Sequence, residues 1–485
     1  FTAYKFAFIC ACRSEKIRRI GIDFRRNMQQ SVRKLFGTDG VRGRANFEPM
    51  TVETTVLLGK AVARVLREGR SGKHRVVVGK DTRLSGYMFE NALIAGLNSM
   101  GIETLVLGPI PTPGVAFITR AYRADAGIMI SASHNPYRDN GIKIFSLEGF
   151  KISDVLEQRI ETMVSEADFG PLPEDHAVGK NKRVIDAMGR YVEFVKATFP
   201  KGRTLKGLKI VLDCAHGASY KVAPSVFEEL DAEVICYGCE PTGININEHC
   251  GALFPQVIQK AVIEHQAHLG IALDGDGDRI IMVDEKGHIV DGDMILSICA
   301  GDLKKRSALP HNRVVATIMT NFGVLKYLEG LGLQVFTSPV GDRHVLHAML
   351  EHEVTLGGEQ SGHMIFLDYN TTGDGIVSAL QVLRIMIESE SMLSDLTAPI
   401  VKSPQTLINV AVREKIPLET IPLIERTLRD VQDALGPSGR ILLRYSGTEN
   451  ICRVMVEGHK KHQVDCLAKA LADVIDAELG TGSRE

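Results

Sequence analysis

Ser133 stands in the run Ser131-Ala132-Ser133-His134-Asn135-Pro136, directly after the apolar segment Ala126-Gly127-Ile128-Met129-Ile130. The apolar segment reads as a buried strand and the small polar residues after it as a tight turn. Pro136 lacks a backbone donor and pushes Asn135 away from helical geometry. The turn is therefore expected to hold the Ser133 hydroxyl outward on a rigid base. Such a hydroxyl is a weak nucleophile until a neighbouring group activates it. Alone, the stretch reads more readily as an ordinary polar turn.

Asp274-Gly275-Asp276-Gly277-Asp278-Arg279 places three carboxylates on alternate residues. The glycines let the backbone curl so that all three can reach one ion. Oxygen donors select a hard divalent cation (Mg²⁺, Ca²⁺ or Mn²⁺) over zinc. An EF-hand is the rival reading, since Glu285 occupies the twelfth place from Asp274. Arg279, however, stands where that loop needs Gly, and Ile280-Ile281-Met282-Val283 continues as a strand. The expected arrangement is strand, metal turn, strand. A lone CxxC, Cys236-Tyr237-Gly238-Cys239, has no second pair to complete a zinc set, and a structural role is expected for it.

Further glycine-dense stretches carry polar groups. Gly357-Gly358-Glu359-Gln360-Ser361-Gly362-His363 suits a loop that approaches a ligand closely, with Glu359 and Ser361 offering groups for sugar hydroxyls or an amine. Arg444-Tyr445-Ser446-Gly447-Thr448-Glu449-Asn450, with Arg453 beyond, reads as a phosphate cradle. Arg42 lies in Phe36-Gly37-Thr38-Asp39-Gly40-Val41-Arg42-Gly43, and Lys143 follows Asn140-Gly141-Ile142. A nucleophilic serine, a cation turn, a sugar-type loop and a separate anion cradle together specify phosphoryl transfer on a sugar phosphate.

Three segments must position these groups, each a β-run, a helix and a second β-run: 75–79, 87–99 and 103–107; 208–212, 223–230 and 233–237; 313–318, 323–328 and 334–337. Apolar runs alternating with helices argue for parallel βαβ units, and three occurrences for three domains of related topology. The tail from about 405 reads as a smaller α+β unit, with strands at 407–413 and 441–444 and helices at 418–435 and 462–479. The 485 residues suffice for several domains, and 44% hydrophobic with 24% charged content is an ordinary globular balance. A net charge of −2 gives no electrostatic reason to expect nucleic acid or an acidic membrane as partner. No apolar run approaches the roughly 18 residues of a membrane span. Nine scattered cysteines fit a reducing cytoplasm better than a disulfide framework.

These motifs, in this order, resemble the α-D-phosphohexomutase superfamily from about residue 34 to residue 457. The resemblance implies an α/β architecture of four domains: three related α/β domains with mixed sheets and a smaller α+β C-terminal domain. The expected boundaries are 34–187 (serine), 188–290 (metal loop), 291–402 (sugar-binding loop) and 405–485 (phosphate-binding loop). Residues 1–33 are expected to be an extension without order, with Met28 a candidate start.

By the resemblance, Ser133 would be the phosphoserine and would bind Mg²⁺ together with Asp274, Asp276 and Asp278. Arg279 would lie near the transferring phosphoryl group, while Arg42, His134 and Lys143 would surround it and assist proton transfer. Glu359 and Ser361 would bind sugar, and Arg444, Ser446, Gly447, Thr448 and Arg453 would bind phosphate. Ser131, Gln360 and Gly341-Asp342-Arg343 resemble the glucosamine branch; His344 and Asn450 stand where that pattern commonly has Tyr and Pro. The implied reaction interconverts glucosamine 6-phosphate and glucosamine 1-phosphate through glucosamine 1,6-bisphosphate, for UDP-N-acetylglucosamine and hence peptidoglycan. A phosphomannomutase/phosphoglucomutase on the same scaffold is the nearest alternative, and a metal-dependent phosphatase a more distant one.

Overall fold

The computed structural model describes residues 35–37, 39–68, 72–446 and 450–481. The expected extension at 1–33 lies outside them. The described chain builds four sheets and divides into two compact units, one of the described residues up to 318 with 334–397, the other of 319–333 with the described residues from 398 onward.

In the first unit, a seven-stranded sheet runs in the order Phe36–Gly37, Gly40–Arg44, Asp139–Ser146, Ala126–Ile130, Arg75–Lys80, Glu103–Pro109, Asn181–Arg183. Its Arg75–Lys80, Glu103–Pro109, Ala126–Ile130 and Asn181–Arg183 strands are parallel, as the βαβ pattern requires. The remaining strands join antiparallel, so the sheet is mixed. Every residue of Ala126–Ile130 is buried, the signature of a strand covered on both faces. The helices Val52–Arg67 and Leu84–Ser99 cover one face through Leu58, Val62, Phe89, Leu93 and Leu97.

The second sheet orders Ile289–Val290, Ile280–Asp284, Leu269–Leu273, Lys209–Asp213, Glu233–Tyr237. The third orders Gln334–Ser338, Arg313–Thr317, Leu356–Gly358, Met364–Phe366. Both are again parallel in the βαβ part and antiparallel at the hairpin. Parallel βαβ units alone therefore understate the architecture; each of these sheets is completed by an antiparallel hairpin.

The second unit has a three-stranded antiparallel sheet, Gln405–Ala411, Ile451–Glu457, Arg440–Tyr445. Val410, Val454, Val456, Val464, Leu471 and Ile475 form its core with the helices Pro422–Leu435 and Lys461–Leu479. The helix Phe322–Gly330, expected as the crossover of the third βαβ repeat, groups with this unit. Its N-cap Asn321 donates to Ser403 O (3.0 Å) and accepts from Ser403 N (2.8 Å), and Phe322 N donates to Glu457 Oε1 (3.0 Å). No helix of the described residues is long and apolar enough to cross a membrane.

Candidate active site

Ser133 follows the buried strand Ala126–Ile130 and takes a left-handed backbone, φ +52°. For an L-residue that conformation costs on the order of 1–2 kcal/mol, so neighbours must hold it. The turn in consequence does not present the hydroxyl outward. Ser133 is only 1% exposed, and Oγ donates to Asp274 Oδ2 at 2.7 Å. His134 Nδ1 lies 3.3 Å from the same Oγ. The Ser133 N–H donates to Ser131 Oγ (2.9 Å), whose hydroxyl donates to Asp81 Oδ2 (2.6 Å). The fully buried Arg83 donates to Ser133 O (2.9 Å), Asn135 O (2.8 Å), Asp139 O (3.1 Å) and Pro136 O. Asn247 Nδ2 adds bonds to Ser133 O (2.9 Å) and Asn135 O (3.0 Å).

The aspartates lie in the turn between the antiparallel strands Leu269–Leu273 and Ile280–Asp284, with Leu273 opposite Ile280. This is a hairpin, not the helix-entering loop of an EF-hand. Asp274, Asp276 and Asp278 are buried, and one oxygen of each lies within 4.8 Å of the others. Lys143, on the strand Asp139–Ser146, sends Nζ to Asp276 Oδ2 (2.8 Å), Asp278 Oδ2 (3.2 Å) and Asp39 Oδ2 (3.3 Å). Thr112, first residue of the helix Thr112–Ala121, donates Oγ1 to Asp276 Oδ2 at 2.5 Å and its N–H to Asp276 O at 2.9 Å.

Burial and the neighbouring carboxylates of Asp278 and Asp276 push the Asp274 carboxyl well up. Burial acts the same way on Asp276, but Lys143 outweighs it and holds that carboxyl below its ordinary range. Burial works against the Lys143 ammonium, yet Asp276, Asp39 and Asp278 keep it charged. Asp276 Oδ1 and Asp278 Oδ1 remain buried with no partner. Orphaned carboxylate oxygens are costly away from water, and here they complete an oxygen donor set that fits a hard divalent cation. Among the described residues this is the one group of its kind, and the CxxC cysteines are free thiols.

Arg42 pairs with Asp39 and reaches Ala132 O at 3.4 Å. Asp39 also pairs with Lys151, which pairs in turn with Asp342. Arg279 N donates to Asp274 Oδ1 (3.2 Å), and its Nε lies 4.0 Å from Asp278 Oδ1. Burial, then Arg279 and Arg42, lower the His134 imidazole to about 4, so the ring is neutral at pH 7.

The glycine-rich loop 358–363 is stitched to the aspartate hairpin: Ile280 N donates to Gly362 O at 3.1 Å, and Arg279 bridges His363. Gly362 has φ +89°, and a Cβ there would lie 1.9 Å from Ile280 O, so only glycine fits. Glu359 is buried and accepts from Gly341 N at 2.8 Å, whereas Ser361 is exposed. The first unit thus brings together Ser133, His134, Lys143, Arg42, Arg279 and the three aspartates, with Glu359 on the adjoining loop.

In the second unit, Arg444 and Arg453 stand directly opposite each other on neighbouring strands. Burial and Arg453 lower the Arg444 guanidinium from its ordinary value. Ser446 is buried; its N–H donates to Ile451 O (2.8 Å) and its carbonyl accepts from Lys415 Nζ (2.7 Å). Gly447 and Thr448, expected in the same cradle, lie outside the described residues.

Sequence reasoning missed Arg83, Asp81, Asn247, Thr112 and Asp39. One signal was available: Lys80-Asp81-Thr82-Arg83 follows the apolar run Val76-Val77-Val78 at a strand's carboxyl end, where α/β sheets place their sites.

Four family models match the chain: phosphoglucomutase/phosphomannomutase α/β/α domain I at residues 33–171, domain II at 189–287, domain III at 291–403 and the C-terminal domain at 407–474. A phosphoglucosamine mutase of Chlamydia abortus is 81% identical over 458 residues, covering 94% of this chain and 100% of that protein. Its counterpart in Chlamydia trachomatis serovar L2 is 79% identical with the same coverage. A phosphoglucomutase/phosphomannomutase family protein of Burkholderia thailandensis shares the fold at TM-score 0.77 and 23% identity, covering 92% of this chain and 97% of that one. Aspergillus fumigatus N-acetylphosphoglucosamine mutase, solved with GlcNAc-6P and magnesium, shares it at TM-score 0.65 and 18% identity, covering 95% of this chain and 98% of that one.

The chain belongs to the phosphoglucomutase/phosphomannomutase family and, within that phosphohexomutase superfamily, to the phosphoglucosamine mutases. It is an enzyme of the isomerase class, a mutase.

Proposed function

We propose that this chain exchanges phosphate between C6 and C1 of glucosamine phosphate, with Ser133 as the phosphoryl carrier. The observation that carries the reading is the 2.7 Å contact of Ser133 Oγ with Asp274 Oδ2, beside two orphaned carboxylate oxygens. Starting from phosphorylated Ser133, the C1 hydroxyl of glucosamine 6-phosphate attacks phosphorus. The bond from phosphorus to Ser133 Oγ breaks, leaving glucosamine 1,6-bisphosphate and a free serine. The bisphosphate turns around. Ser133 Oγ then attacks the 6-phosphate, the bond from phosphorus to O6 breaks, and glucosamine 1-phosphate leaves with the phosphoserine restored.

The neutral His134 ring, 3.3 Å from Ser133 Oγ, takes and returns the hydroxyl proton. Lys143 stays an ammonium and offsets negative charge. Arg279 and Arg42 face the transferring group, and Glu359 orients the sugar. Mg²⁺ held by Asp274, Asp276, Asp278 and the serine phosphate would neutralise charge on the group in transfer. Arg444, Ser446 and Arg453, with Gly447 and Thr448, would hold the phosphate that is not reacting, whose binding energy orients the sugar.

Glucosamine 1-phosphate would supply UDP-N-acetylglucosamine and peptidoglycan synthesis. The free thiols suit a cytoplasmic setting. Turnover of glucosamine 1-phosphate, mannose 1-phosphate and glucose 1-phosphate tests the assignment, with intact mass before and after glucose 1,6-bisphosphate. A preference for the glucosamine compound and a gain of one phosphate that Ser133→Ala abolishes are expected. A mannose or glucose preference overturns the substrate, and net phosphate release exceeding isomerisation overturns the mutase reading.

A further inference from the structure

We propose that Arg83 is the positioning residue of the Ser133 loop, fixing the left-handed backbone that aims the hydroxyl at Asp274. The inference rests on reading Ser133 as the phosphoryl carrier.

A guanidinium has five N–H donors in a rigid fork. At Arg83 each has an acceptor: Nε meets Asp81 Oδ2 (2.8 Å), Nη1 meets Pro136 O and Asp139 O (3.1 Å), and Nη2 meets Ser133 O (2.9 Å) and Asn135 O (2.8 Å). Four carbonyls of one short loop therefore converge on one side chain. The Asp81 carboxylate that receives Nε is held in turn by the Arg83 backbone N–H, which donates to Oδ1 at 2.9 Å.

Asp81 also holds the other end of the same peptide segment. Its Oδ2 accepts from Ser131 Oγ, which accepts the Ser133 N–H. Both backbone polar groups of Ser133 are thus tied to one buried carboxylate, the carbonyl through Arg83 and the N–H through Ser131. Neither tether touches the hydroxyl, so the pair acts on where Oγ points and not on its chemistry. Lysine has the charge but not the fork, and cannot reach four carbonyls at once.

Displacing a reacting atom by about 1 Å costs about 10²-fold in rate. Arg83→Lys is therefore expected to lower kcat about 10²-fold while KM for glucosamine 1-phosphate and Mg²⁺ affinity change less than about threefold. Millimolar guanidinium chloride, well below denaturing levels, should restore part of the turnover of Arg83→Ala. A role limited to stability would instead lower Tm and leave kcat of the folded fraction native and unrescued.

Removing half of a buried ion pair can prevent folding. The gentler Ser131→Ala then decides, with an expected fall in kcat of about tenfold at constant KM. Native kcat in folded Arg83→Lys, or in Ser131→Ala should the arginine variants not fold, overturns the inference. Ser133→Ala in the same assay separates the two failures. Near-native mutase activity there removes Ser133 as carrier. An inactive Ser133→Ala beside a fully active Arg83→Lys removes the role of Arg83 alone.

Discussion

The serine–aspartate cluster of the first unit and the arginine pair of the second are built on opposite principles. Around Ser133, opposite charges interleave: Lys143 lies among Asp39, Asp276 and Asp278, Arg83 lies on Asp81, and the serine turn is bonded on every side. At Arg444 and Arg453, two like charges face each other across a strand pair. The first arrangement offsets most of its charge internally, yet it keeps Asp276 Oδ1 and Asp278 Oδ1 buried without a partner. In the second, burial and Arg453 weigh against the Arg444 charge, which an anion would favour. On the proposed reading, rigid positioning belongs where bonds change, and a like-charged pair belongs where a phosphate is merely held.

The contrast can be broken by measurement. The largest effect is expected from Ser133→Ala, with mutase turnover down about 10⁴-fold or more and Mg²⁺ affinity by calorimetry largely retained. Retained turnover would erase the distinction between the two regions. Asp276→Asn should cost about 10²–10³-fold in kcat and weaken Mg²⁺ binding, because it removes one of the orphaned oxygens.

Arg444→Gln should raise KM about 10–100-fold with kcat nearly unchanged, and Tm should hold or rise as a like-charge contact worth about 0.2–1 kcal/mol disappears. A fall in kcat with constant KM would show that Arg444 takes part in chemistry. The smallest effect concerns pH in the metal-free protein. His134 should titrate near 4, below its ordinary 6.5, through burial, Arg279 and Arg42. A lowered base contributes stability that is full above 6.5 and is lost as pH falls through 4. NMR of the ring and the pH slope of Tm in His134→Gln check both points.

Much of the fold was legible because buried parallel strands leave continuous apolar runs. The segments Ala126–Ile130, Arg75–Lys80, Lys209–Asp213 and Arg313–Thr317 follow that rule, whereas Glu233–Tyr237 and Gln334–Ser338, at sheet edges, are only partly buried. The strand Ile451–Glu457 is central to the last sheet, yet Arg453 and Glu457 interrupt its apolar pattern. The allegiance of the helix Phe322–Gly330 was hidden, since it depends on bonds to Ser403 and Glu457 far along the chain. The residues expected to do chemistry were visible as local motifs, which is how Ser133 and the aspartates announce themselves. Their supports were not. Arg83 acts on a loop 50 residues away, and Thr112 meets Asp276 across 164. No spacing rule carries such partners. The hydroxyl's true direction was hidden too, because it follows from a positive φ at a non-glycine residue.

The convergence on Arg83 also has an electrostatic consequence. A phosphorylated serine brings about −1.5 to −2 charges to its turn. Carbonyl groups crowding that turn would add their own negative ends to the local potential. Here four of them are capped by a cation, so the backbone's contribution is spent before the phosphate arrives. On the proposed reading, a phosphoserine at this turn would meet a backbone whose negative ends are already engaged.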